Sequence, residues 1–535
     1  MSANKAHTNL YFSESELAWV RCYYSTVASF HVQNFGCRAT QADGAAIERQ
    51  FEERGWARAA QPRDAEVVVL NTCTVTASAD QDARAAIRRV HRENPQARIV
   101  VTGCYAQRSP EELAALPGVA QVIGNSHKHQ LAEIATGRKH SGPEDAEAGS
   151  GFFPLERLTR VPAEGSVPPT ARDPRPIFVS DIFAHTELLA APVFDAANQR
   201  TRPNLKVQDG CNNRCSFCVI PYVRGQSRSM KLEQILREVD ALVASGYREL
   251  VISGINLGRW GRDFEDRYQL SIVSSQGNHP PADSVGASAS LAVNPEAGHP
   301  TFTVDQRPTT SDQRLAFEDL IRAVLEHTGL EKLRISSVEP MDWSDELIGL
   351  VAGSPRIAKH AHVPMQSGSD AVLRRMHRKY RPWHYREKIE RIRTALPTAA
   401  IGADVMVGFP GETDAEFEET RCMVDELPLT YLHVFTYSVR PGTPAAEMPR
   451  QVPVPVARER NRILRELAEA KKLAFMREFV GKNVEAITLN RFDGQWTEAL
   501  TENYLPLRVR GKSSANQWVR TRVENIVEGE LVGRL

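Results

Sequence analysis

The sequence lacks the features that mark membrane, secreted and disulfide-bonded proteins. None of its apolar runs approaches the roughly 18 residues that a membrane-spanning helix requires. Residues 1–27 are polar and include acids, without the apolar stretch of a signal peptide. The chain has 8 cysteines in 535 residues, which is too few for a disulfide scaffold. These absences predict a cytoplasmic protein that has no membrane partner.

The sequence also lacks an excess of charge of either sign. Lysine and arginine number 66, and aspartate and glutamate also number 66. No global field therefore attracts nucleic acid, and a polyanionic partner would have to be held by local patches. The apolar fraction of 41% and the charged fraction of 25% are typical of globular protein. The length indicates about three or four domains.

Strand and helix patterns alternate in two successive series, which predicts an α/β protein. Over residues 28–139, the runs AEVVVLN and ARIVVTG are separated by amphipathic helices and predict a parallel sheet covered on both faces. Over residues 201–478, strand candidates alternating with helical stretches predict a partial or complete β/α barrel. Short alternating runs over residues 479–535 predict a small β-barrel.

Three stretches fall outside these patterns. Residues 1–27 are predicted to be a loosely ordered extension. Residues 140–200 begin with a stretch rich in glycine, proline, serine and acids, which is the composition of a linker. Residues 263–312 have no periodicity and predict a disordered surface insertion into the barrel.

A first set of cysteines follows the first strand of the barrel series. The motif is Cys211-Asn-Asn-Arg-Cys215-Ser-Phe-Cys218, directly after LKVQDG. A structural zinc site would normally have a fourth Cys or His nearby. Three thiolates can instead bind a [4Fe–4S] cluster and leave one iron open to a further ligand. Buried structural thiols are the alternative to a cluster site.

A second set of cysteines is spread along the first series. Cys37 lies in QNFGC at the junction into a helix, Cys73 in NTCTVT after a strand, and Cys104 in GCYAQ after another strand. Because ligands gather at the carboxyl ends of the strands of an open parallel sheet, the three are expected to converge. The alternative for each is a small buried apolar residue.

The motif CNNRCSFC resembles the C-x3-C-x-aromatic-C signature of the radical S-adenosylmethionine (SAM) superfamily. This resemblance implies that Cys211, Cys215 and Cys218 hold a [4Fe–4S] cluster whose open iron binds SAM, and that Phe217 lies beside the adenine of SAM. It also implies that segments at later strand ends contact SAM. The residues expected there are Gly254, Asn256, Ser336, Glu339 and Gln366.

The motifs QNFGC, NTCTVT and GCYAQ resemble the N-terminal domain of the radical SAM methylthiotransferases. The resemblance implies that Cys37, Cys73 and Cys104 hold a second [4Fe–4S] cluster. It implies a flavodoxin-like N-terminal domain, a central radical SAM β/α barrel and a C-terminal RNA-binding barrel of the TRAM type. Within that family, NTCTVT and VQDGCNNRCSFCVIPYVRG most resemble the branch that methylthiolates N6-threonylcarbamoyladenosine at tRNA position 37.

The resemblance therefore implies a transferase that inserts sulfur and then a methyl group at an adenine C–H. No acid–base catalyst is assigned, because an aromatic C–H has no acidic proton for a base to remove. The expected partners are the tRNA anticodon loop and an external electron donor such as a flavodoxin or ferredoxin. The alternatives are a methylthiotransferase acting on isopentenyladenosine in tRNA or on a ribosomal protein, and a noncatalytic metal-containing RNA-binding protein.

Two regions are candidates for holding RNA. Residues 374–388 (RRMHRKYRPWHYREK) are strongly basic and interleave Tyr380, Trp383 and Tyr385, whose rings could stack on an unpaired base. The alternative for this stretch is a solvated helix face. Basic residues of the C-terminal barrel are candidates for contacts with the RNA backbone. They are Arg508, Arg510, Lys512, Arg520 and Arg522.

Overall fold

The computed structural model describes residues 28–137, 176–185, 188, 202–264 and 315–534. The extension predicted over 1–27 lies outside the described residues, as do most of the linker predicted over 140–200 and all but the first two residues of the insertion predicted over 263–312. Among the residues described, no helix is both long enough and apolar enough to cross a membrane.

The N-terminal part of the chain folds as a parallel sheet. Within residues 28–137 and 176–185 the strand order is β2-β1-β3-β4-β5-β6, and the pairings are parallel. The strands are β1 (Ser29–Asn34), β2 (Ala57–Arg58), β3 (Val67–Thr72), β4 (Arg98–Gly103), β5 (Val119–Gly124) and β6 (Ile177–Phe178). The helices are α1 (Arg38–Glu52), α2 (Ala77–Glu93), α3 (Cys104–Arg108), α4 (Pro110–Ala114) and α5 (Leu131–Thr136).

Both faces of this sheet are covered, as the continuous apolar runs predict. Val67 and Val69 belong to one buried cluster, whereas Val68 and Leu70 belong to another on the opposite face. The predicted parallel sheet is therefore confirmed. The order β2-β1-β3-β4-β5 is the flavodoxin-type order, in which ligands bind where the strand order reverses, between β1 and β3.

One part of the predicted linker belongs to this sheet. Strand β6 pairs with the edge strand β5, with Val122 opposite Ile177 and Ile123 opposite Phe178. The prediction of a linker over 140–200 was therefore wrong at these residues. A run of only two apolar residues in a polar segment gives no strand periodicity, and it acquires its structure from the exposed edge of β5.

The central part of the chain forms an open β/α barrel. Among the described residues the strands lie in the order β8-β7-β9-β10 and β11-β12-β13, and a parallel bridge between Leu333 and Ile357 joins the two sheets. The strands are β7 (Asn204–Asp209), β8 (Arg228–Ser229), β9 (Glu249–Gly254), β10 (Lys332–Ile335), β11 (His360–His362), β12 (Ala400–Val407) and β13 (Tyr431–Thr436). This confirms the predicted barrel in its partial form.

Helices cover the outside of the barrel and bury its apolar residues in the largest core of the protein. They are α7 (Leu232–Ala244), α8 (Phe317–His327), α9 (Asp345–Gly353), α10 (Asp370–Arg375), α11 (Pro382–Ala395), α12 (Asp414–Glu426) and α13 (Pro444–Glu447). The short helix α6 (Ile220–Arg224) packs instead against Cys104 of the N-terminal sheet. The long helix α14 (Val454–Arg477) then leads to the C-terminal barrel.

A buried network of charges joins the N-terminal sheet to the barrel. Asp43 of α1 accepts hydrogen bonds from Lys128 at 3.0 Å and from Arg224 at 2.9 Å, and it also pairs with Lys206 of β7. Lys206 and Arg224 both pair with Asp209 as well, at 2.7 and 3.0 Å. All five side chains are at most 8% exposed.

The pairing decides the charge state of both acids. Burial alone would raise the pKa of Asp43, but the charges of Lys128, Lys206 and Arg224 outweigh it and hold that pKa well below its usual range. In Asp209 the charges of Arg224 and Lys206 likewise outweigh burial and lower the pKa. Both carboxylates are therefore ionised at neutral pH.

The C-terminal residues form a small closed barrel, as predicted. Its strand order is β14-β15-β16-β18-β17. The strands are β14 (Asn483–Phe492), β15 (Trp496–Thr501), β16 (Pro506–Arg510), β17 (Trp518–Val527) and β18 (Glu530–Arg534). The loop after β15 closes the amino end of the central barrel, where buried Arg334 donates to the backbone oxygens of Thr501 and Glu502 at 3.2 and 3.0 Å.

Replacing Asp43 with asparagine tests the buried network. Three cations would lose a carboxylate that they share, and removing one partner of a buried ion pair costs about 3–5 kcal/mol of unfolding free energy. The control is Glu387→Gln, which removes the exposed pair of Glu387 with Arg391 and should cost about 0.5 kcal/mol or less. Urea unfolding followed by circular dichroism measures both. Equal losses in the two variants would contradict a structural role for the network.

Candidate active site

The cysteines of the barrel lie in a tight loop between β7 and α6. Cys218 N donates to Cys215 O at 3.1 Å, and Cys211 N donates to Gly225 O at 3.1 Å. Gly210, with φ +69°, starts the loop so close to the backbone that an added Cβ would lie 1.8 Å from Gln226 O. The loop thus keeps the three thiols on one short stretch at the carboxyl end of β7.

Two thiols of this loop, Cys211 and Cys218, are strongly affected by burial. Burial raises the pKa of Cys211, and the charge of Cys215 adds to the rise. Burial and then Cys215 raise the pKa of Cys218 to about 12. Such thiols stay protonated at neutral pH unless a metal replaces the proton, because a coordinating thiol is deprotonated by the metal.

Arg378 is the charged partner of this loop. Its guanidinium donates to Cys215 Sγ at 3.2 Å and pairs with Glu339, and the side chain is 6% exposed. Burial lowers the pKa of Arg378, but Tyr380, Glu339 and Cys215 outweigh it and raise the pKa well above its usual value. A buried cation that donates to sulfur stabilises a thiolate at Cys215. The sequence analysis placed Arg378 in an RNA-binding stretch and missed this role.

The residues predicted to contact SAM lie at strand ends around the same loop. Asn256 Nδ2 donates to Cys211 Sγ at 3.7 Å, and Asn256 N donates to Gln208 Oε1 at 2.7 Å. Gly254 ends β9 against Gln208, where an added Cβ would lie 2.9 Å from the Gln208 amide oxygen. Phe217 packs edge to face on Phe409 at 6.3 Å between ring centroids.

The other predicted contacts lie after β10 and β11. Ser336 N donates to Ile252 O at 3.1 Å, which places Ser336 beside the end of β9. Glu339 pairs with Arg378. Gln366 has a left-handed backbone with φ 63°, and its backbone N donates to Asp404 O at 2.8 Å.

Two buried amide oxygens in this group have no hydrogen-bond donor among the described residues. They are Asn256 Oδ1 and Gln366 Oε1. An unsatisfied buried acceptor is costly, and a ligand that carries an ammonium or hydroxyl group would satisfy it. SAM carries both, so these residues fit SAM.

The second set of cysteines converges at one edge of the N-terminal sheet. Cys37, Cys73 and Cys104 follow β1, β3 and β4, which are neighbours in the sheet. Gly36 packs directly against Cys73: an added Cβ would lie 2.6 Å from Cys73 Cβ, and its φ of +102° favours glycine. Burial, then Cys104 and Cys37, raises the pKa of Cys73 to about 12.

One short segment links the two sets of cysteines. Cys104 packs against Val219, which directly follows Cys218, and against Val223 one helical turn later. Asn125 Nδ2 donates to Val223 O at 2.7 Å and to Cys104 Sγ at 3.6 Å. The segment 218–224, which includes α6, therefore lies between the two sets of cysteines.

Arg224 is the last residue of this segment, and its positive charge acts on the second set of cysteines. Burial would lower its pKa, but Asp209, Cys104 and Asp43 outweigh burial and raise it well above its usual value. The same guanidinium lowers the pKa of Cys73. Sequence analysis missed Arg224, because the pairing with Asp43 spans 181 positions and leaves no local pattern.

The aromatic residues of the 374–388 stretch differ from the prediction. Tyr380 and Tyr385 are 1% and 0% exposed, and their hydroxyls donate to Met365 O at 2.6 Å and Val363 O at 2.8 Å. They support the end of β11 and cannot stack on a base, so that part of the prediction was wrong. Helical spacing places them on the buried face of α11 and the turn before it. Trp383 is 56% exposed.

Four of the basic residues predicted in the C-terminal barrel are exposed. They are Arg510, Lys512, Arg520 and Arg522. Arg508 is only half-buried and pairs with Glu530 at 2.9 Å, so part of its charge is already neutralised.

Comparison with known proteins identifies the class and then the family. The radical SAM superfamily profile matches residues 205–421, so the barrel and its cysteine loop are those of a radical SAM enzyme. The profile of uncharacterized protein family UPF0004 matches residues 29–124.

The curated relatives cover nearly the whole chain. A threonylcarbamoyladenosine tRNA methylthiotransferase MtaB of Bacillus subtilis is 34% identical over 91% of this chain and 91% of its own. The MtaB of Aquifex aeolicus is 31% identical over 92% and 99%. A tRNA-2-methylthio-N(6)-dimethylallyladenosine synthase of Acidothermus cellulolyticus is 31% identical over 94% and 84%. The chain belongs to the radical SAM tRNA methylthiotransferases, a family of transferases that use [4Fe–4S] clusters and SAM.

The burial of the thiols predicts their reactivity in the cluster-free chain. Cys37 is exposed, whereas Cys73 is 5% exposed with a pKa raised to about 12. At about pH 8, iodoacetamide should therefore alkylate Cys37 much faster than Cys73, because only the thiolate reacts. Peptide mass spectrometry measures both rates, and the urea-unfolded chain, in which the rates should be similar, is the control. Similar rates in the folded chain would contradict this geometry.

Proposed function

We propose that this chain methylthiolates N6-threonylcarbamoyladenosine at position 37 of tRNA to its 2-methylthio derivative. The observation that carries the proposal is the segment 218–224, which lies between a cysteine loop at the barrel mouth and a second cysteine cluster at the sheet edge. Methylthiolation needs C–H activation and sulfur insertion at one atom, and two adjoining sites suit these two tasks.

The ligands of the two clusters are assigned accordingly. Cys211, Cys215 and Cys218 would hold a [4Fe–4S] cluster with SAM, and Cys37, Cys73 and Cys104 would hold the other. When bound, these groups supply the carbon radical that removes hydrogen from the adenine, the sulfur, and the methyl group of a second SAM.

The residues of the chain orient and stabilise these groups. Arg378 stabilises the Cys215 thiolate, and Arg224 places a positive charge beside the second cluster of thiolates. Asn256 and Gln366 offer free amide oxygens to the amino group and hydroxyls of SAM. None of these residues needs to transfer a proton, because the C–H bond is broken by a radical and not by a base.

The partners follow from the exposed charges. Arg510, Lys512, Arg520 and Arg522 supply contacts to the phosphates of the tRNA anticodon arm, and Trp383 supplies a ring for stacking. An external electron donor such as a flavodoxin or ferredoxin would reduce the barrel cluster. A cleft beside Cys215 is lined by four basic residues and two acidic ones, and this positive balance suits an acidic donor. They are Arg214, Arg259, Arg378, Lys379, Glu339 and Asp342. The cytoplasm, where tRNA resides, is the proposed place of action.

The substrate branch rests on the relatives and the motifs. Two of the relatives are named for threonylcarbamoyladenosine, but the relative named for dimethylallyladenosine is also 31% identical, so identity alone does not separate the two substrates. The domain division proposed is a sulfur-handling domain over 28–139, a radical domain over 201–478 and an RNA-binding domain over 479–535.

Deleting the gene tests the substrate. We expect 2-methylthio-N6-threonylcarbamoyladenosine to disappear from tRNA, with N6-threonylcarbamoyladenosine accumulating in its place. Liquid chromatography with mass spectrometry of tRNA nucleosides measures both, and a plasmid copy of the gene should restore the product. Loss of a methylthio-isopentenyladenosine or of a ribosomal-protein modification instead would contradict the proposed substrate.

A substitution at Gly36 tests the second cluster without removing a cysteine. Gly36→Ala would press its Cβ onto Cys73, so about four of about eight iron atoms should be lost after anaerobic reconstitution. Gly55→Ala is the matched control, since Gly55 also has a positive φ of +75° but nothing within 4 Å of an added Cβ.

Product analysis completes this test. Gly36→Ala should still cleave SAM to 5′-deoxyadenosine under dithionite, because the barrel loop is unchanged, but should form little methylthio product. Full iron content and full methylthiolation in Gly36→Ala would contradict a sulfur-handling role for these cysteines.

A further inference from the structure

The inner face of the barrel carries a polar cluster that the proposed mechanism does not use. His362 of β11, Asp404 of β12 and His433 of β13 each place one side-chain atom within 4.8 Å of the others. Alternate residues of these strands, such as Ala361, Ala403 and Val434, pack in the core under the helices. Because side chains alternate along a strand, the three polar residues face the lumen.

The histidine of this cluster is held in a defined orientation. His362 Nδ1 is hydrogen-bonded to Ser337 Oγ at 2.6 Å, which fixes the ring. Its Nε2 lies 3.4 Å from Asp404 Oδ1 but has no hydrogen-bond partner among the described residues, although the side chain is only 8% exposed. An orphaned polar atom in a buried, oriented ring indicates a missing ligand.

Helix α1 of the N-terminal sheet begins beside β7 of the barrel, and its first residue is an arginine. Arg38 is the first residue of α1, directly after Cys37, and its backbone oxygen accepts from Asn204 Nδ2 of β7 at 3.2 Å. Burial, His362 and then the positive charge of Arg38 lower the pKa of His433, against the charge of Asp404, which raises it. Among the described residues, no carboxylate or hydrogen-bond acceptor pairs with the Arg38 side chain.

The chemistry of this lining discriminates between the two tRNA substrates. A threonylcarbamoyl group carries a carboxylate, a hydroxyl and a urea, whereas a dimethylallyl group carries no polar atom. An apolar group in this lumen would leave the arginine, the histidines and the aspartate desolvated and unpaired, at about 1–3 kcal/mol for each group. The lumen therefore suits an anionic, hydroxylated substituent on the adenine.

Resting on the proposed function, we propose that Arg38, His362, Asp404 and His433 form the binding site for the threonylcarbamoyl group of the substrate. Arg38 and His433 bind its carboxylate, Asp404 accepts from its hydroxyl, and His362 Nε2, unpartnered among the described residues, donates to its urea oxygen. In adenine, N1 is flanked by C2 and by C6, the carbon that carries N6. Binding of the N6 substituent beside Arg38 thus directs C2 toward the cluster that neighbouring Cys37 would hold.

A thermodynamic cycle that pairs changes in the enzyme with a change in the substrate tests the site. The substrates are anticodon stem–loop RNAs that carry N6-threonylcarbamoyladenosine or its threoninamide counterpart, in which the carboxylate is an uncharged amide. The enzymes are the cluster-loaded full chain, Arg38→Gln, Arg38→Lys and the control Arg49→Gln, which changes an arginine of the same helix that is 42% exposed.

The carboxylate should matter only when Arg38 is present. For the wild type, amidation of the substrate should lower kcat/KM about 10- to 100-fold, which is the range for a charge-assisted hydrogen bond. Arg38→Gln should show the same loss on the acid but little further loss on the amide. Arg38→Lys should recover part of the loss, and Arg49→Gln should match the wild type. SAM cleavage without RNA should be equal in all four.

Each alternative result overturns a defined part of the account. If Arg38→Gln lost equal activity on the acid and the amide, its role would be structural and the binding site would be wrong, although the proposed function would stand. If the wild type modified RNA that carries dimethylallyladenosine, but neither the threonylcarbamoyladenosine RNA nor its threoninamide counterpart, the binding site and the proposed function would both be wrong. Stoichiometric zinc or manganese that is lost in His433→Phe would identify a metal site and overturn the proposal.

Discussion

A buried network of charges fixes the N-terminal sheet against the barrel. Asp43 is shared by Lys128, Lys206 and Arg224, and Asp209 binds the last two of these. Charges removed from water are tolerated only while they stay paired, so the two domains cannot shift without a large cost. Three cations against two carboxylates leave one positive charge in excess. One of these cations, Arg224, acts electrostatically on Cys104 and Cys37 of the second set.

This attachment also shapes the space between the two cysteine sets. With α1 held beside β7, Arg38 begins that helix next to Asn204 of the barrel, and Cys37 lies at the adjoining sheet edge. The segment 218–224 then belongs to both sites at once: it begins with a cysteine of the barrel loop and ends with Arg224, whose charge acts on the second set. The substrate adenine is thus expected between a radical source and a sulfur source that one rigid network positions.

Sequence reasoning located what is encoded locally. Continuous valines predicted β3 and β4, and cysteines directly after strands predicted the convergence at the sheet edge, because parallel strands end on the same side. It failed where distant residues decide the outcome. Arg378 was predicted only as part of an RNA-binding stretch and Arg224 was given no role, because their partners Cys215 and Asp43 lie 163 and 181 positions away and no spacing rule reveals such pairs. Tyr380 was misassigned for the same reason, since its burial depends on the backbone after β11.

The most direct test of two adjoining cluster sites is electron paramagnetic resonance of the reconstituted, dithionite-reduced full chain. If both cysteine sets hold [4Fe–4S] clusters on either side of the segment 218–224, the spectrum should integrate to about two spins per chain and be broadened by coupling between them. Changing Cys211, Cys215 and Cys218 to alanine should leave a narrower signal of about one spin. An uncoupled signal of about one spin in the wild type, unchanged by those substitutions, would contradict the account.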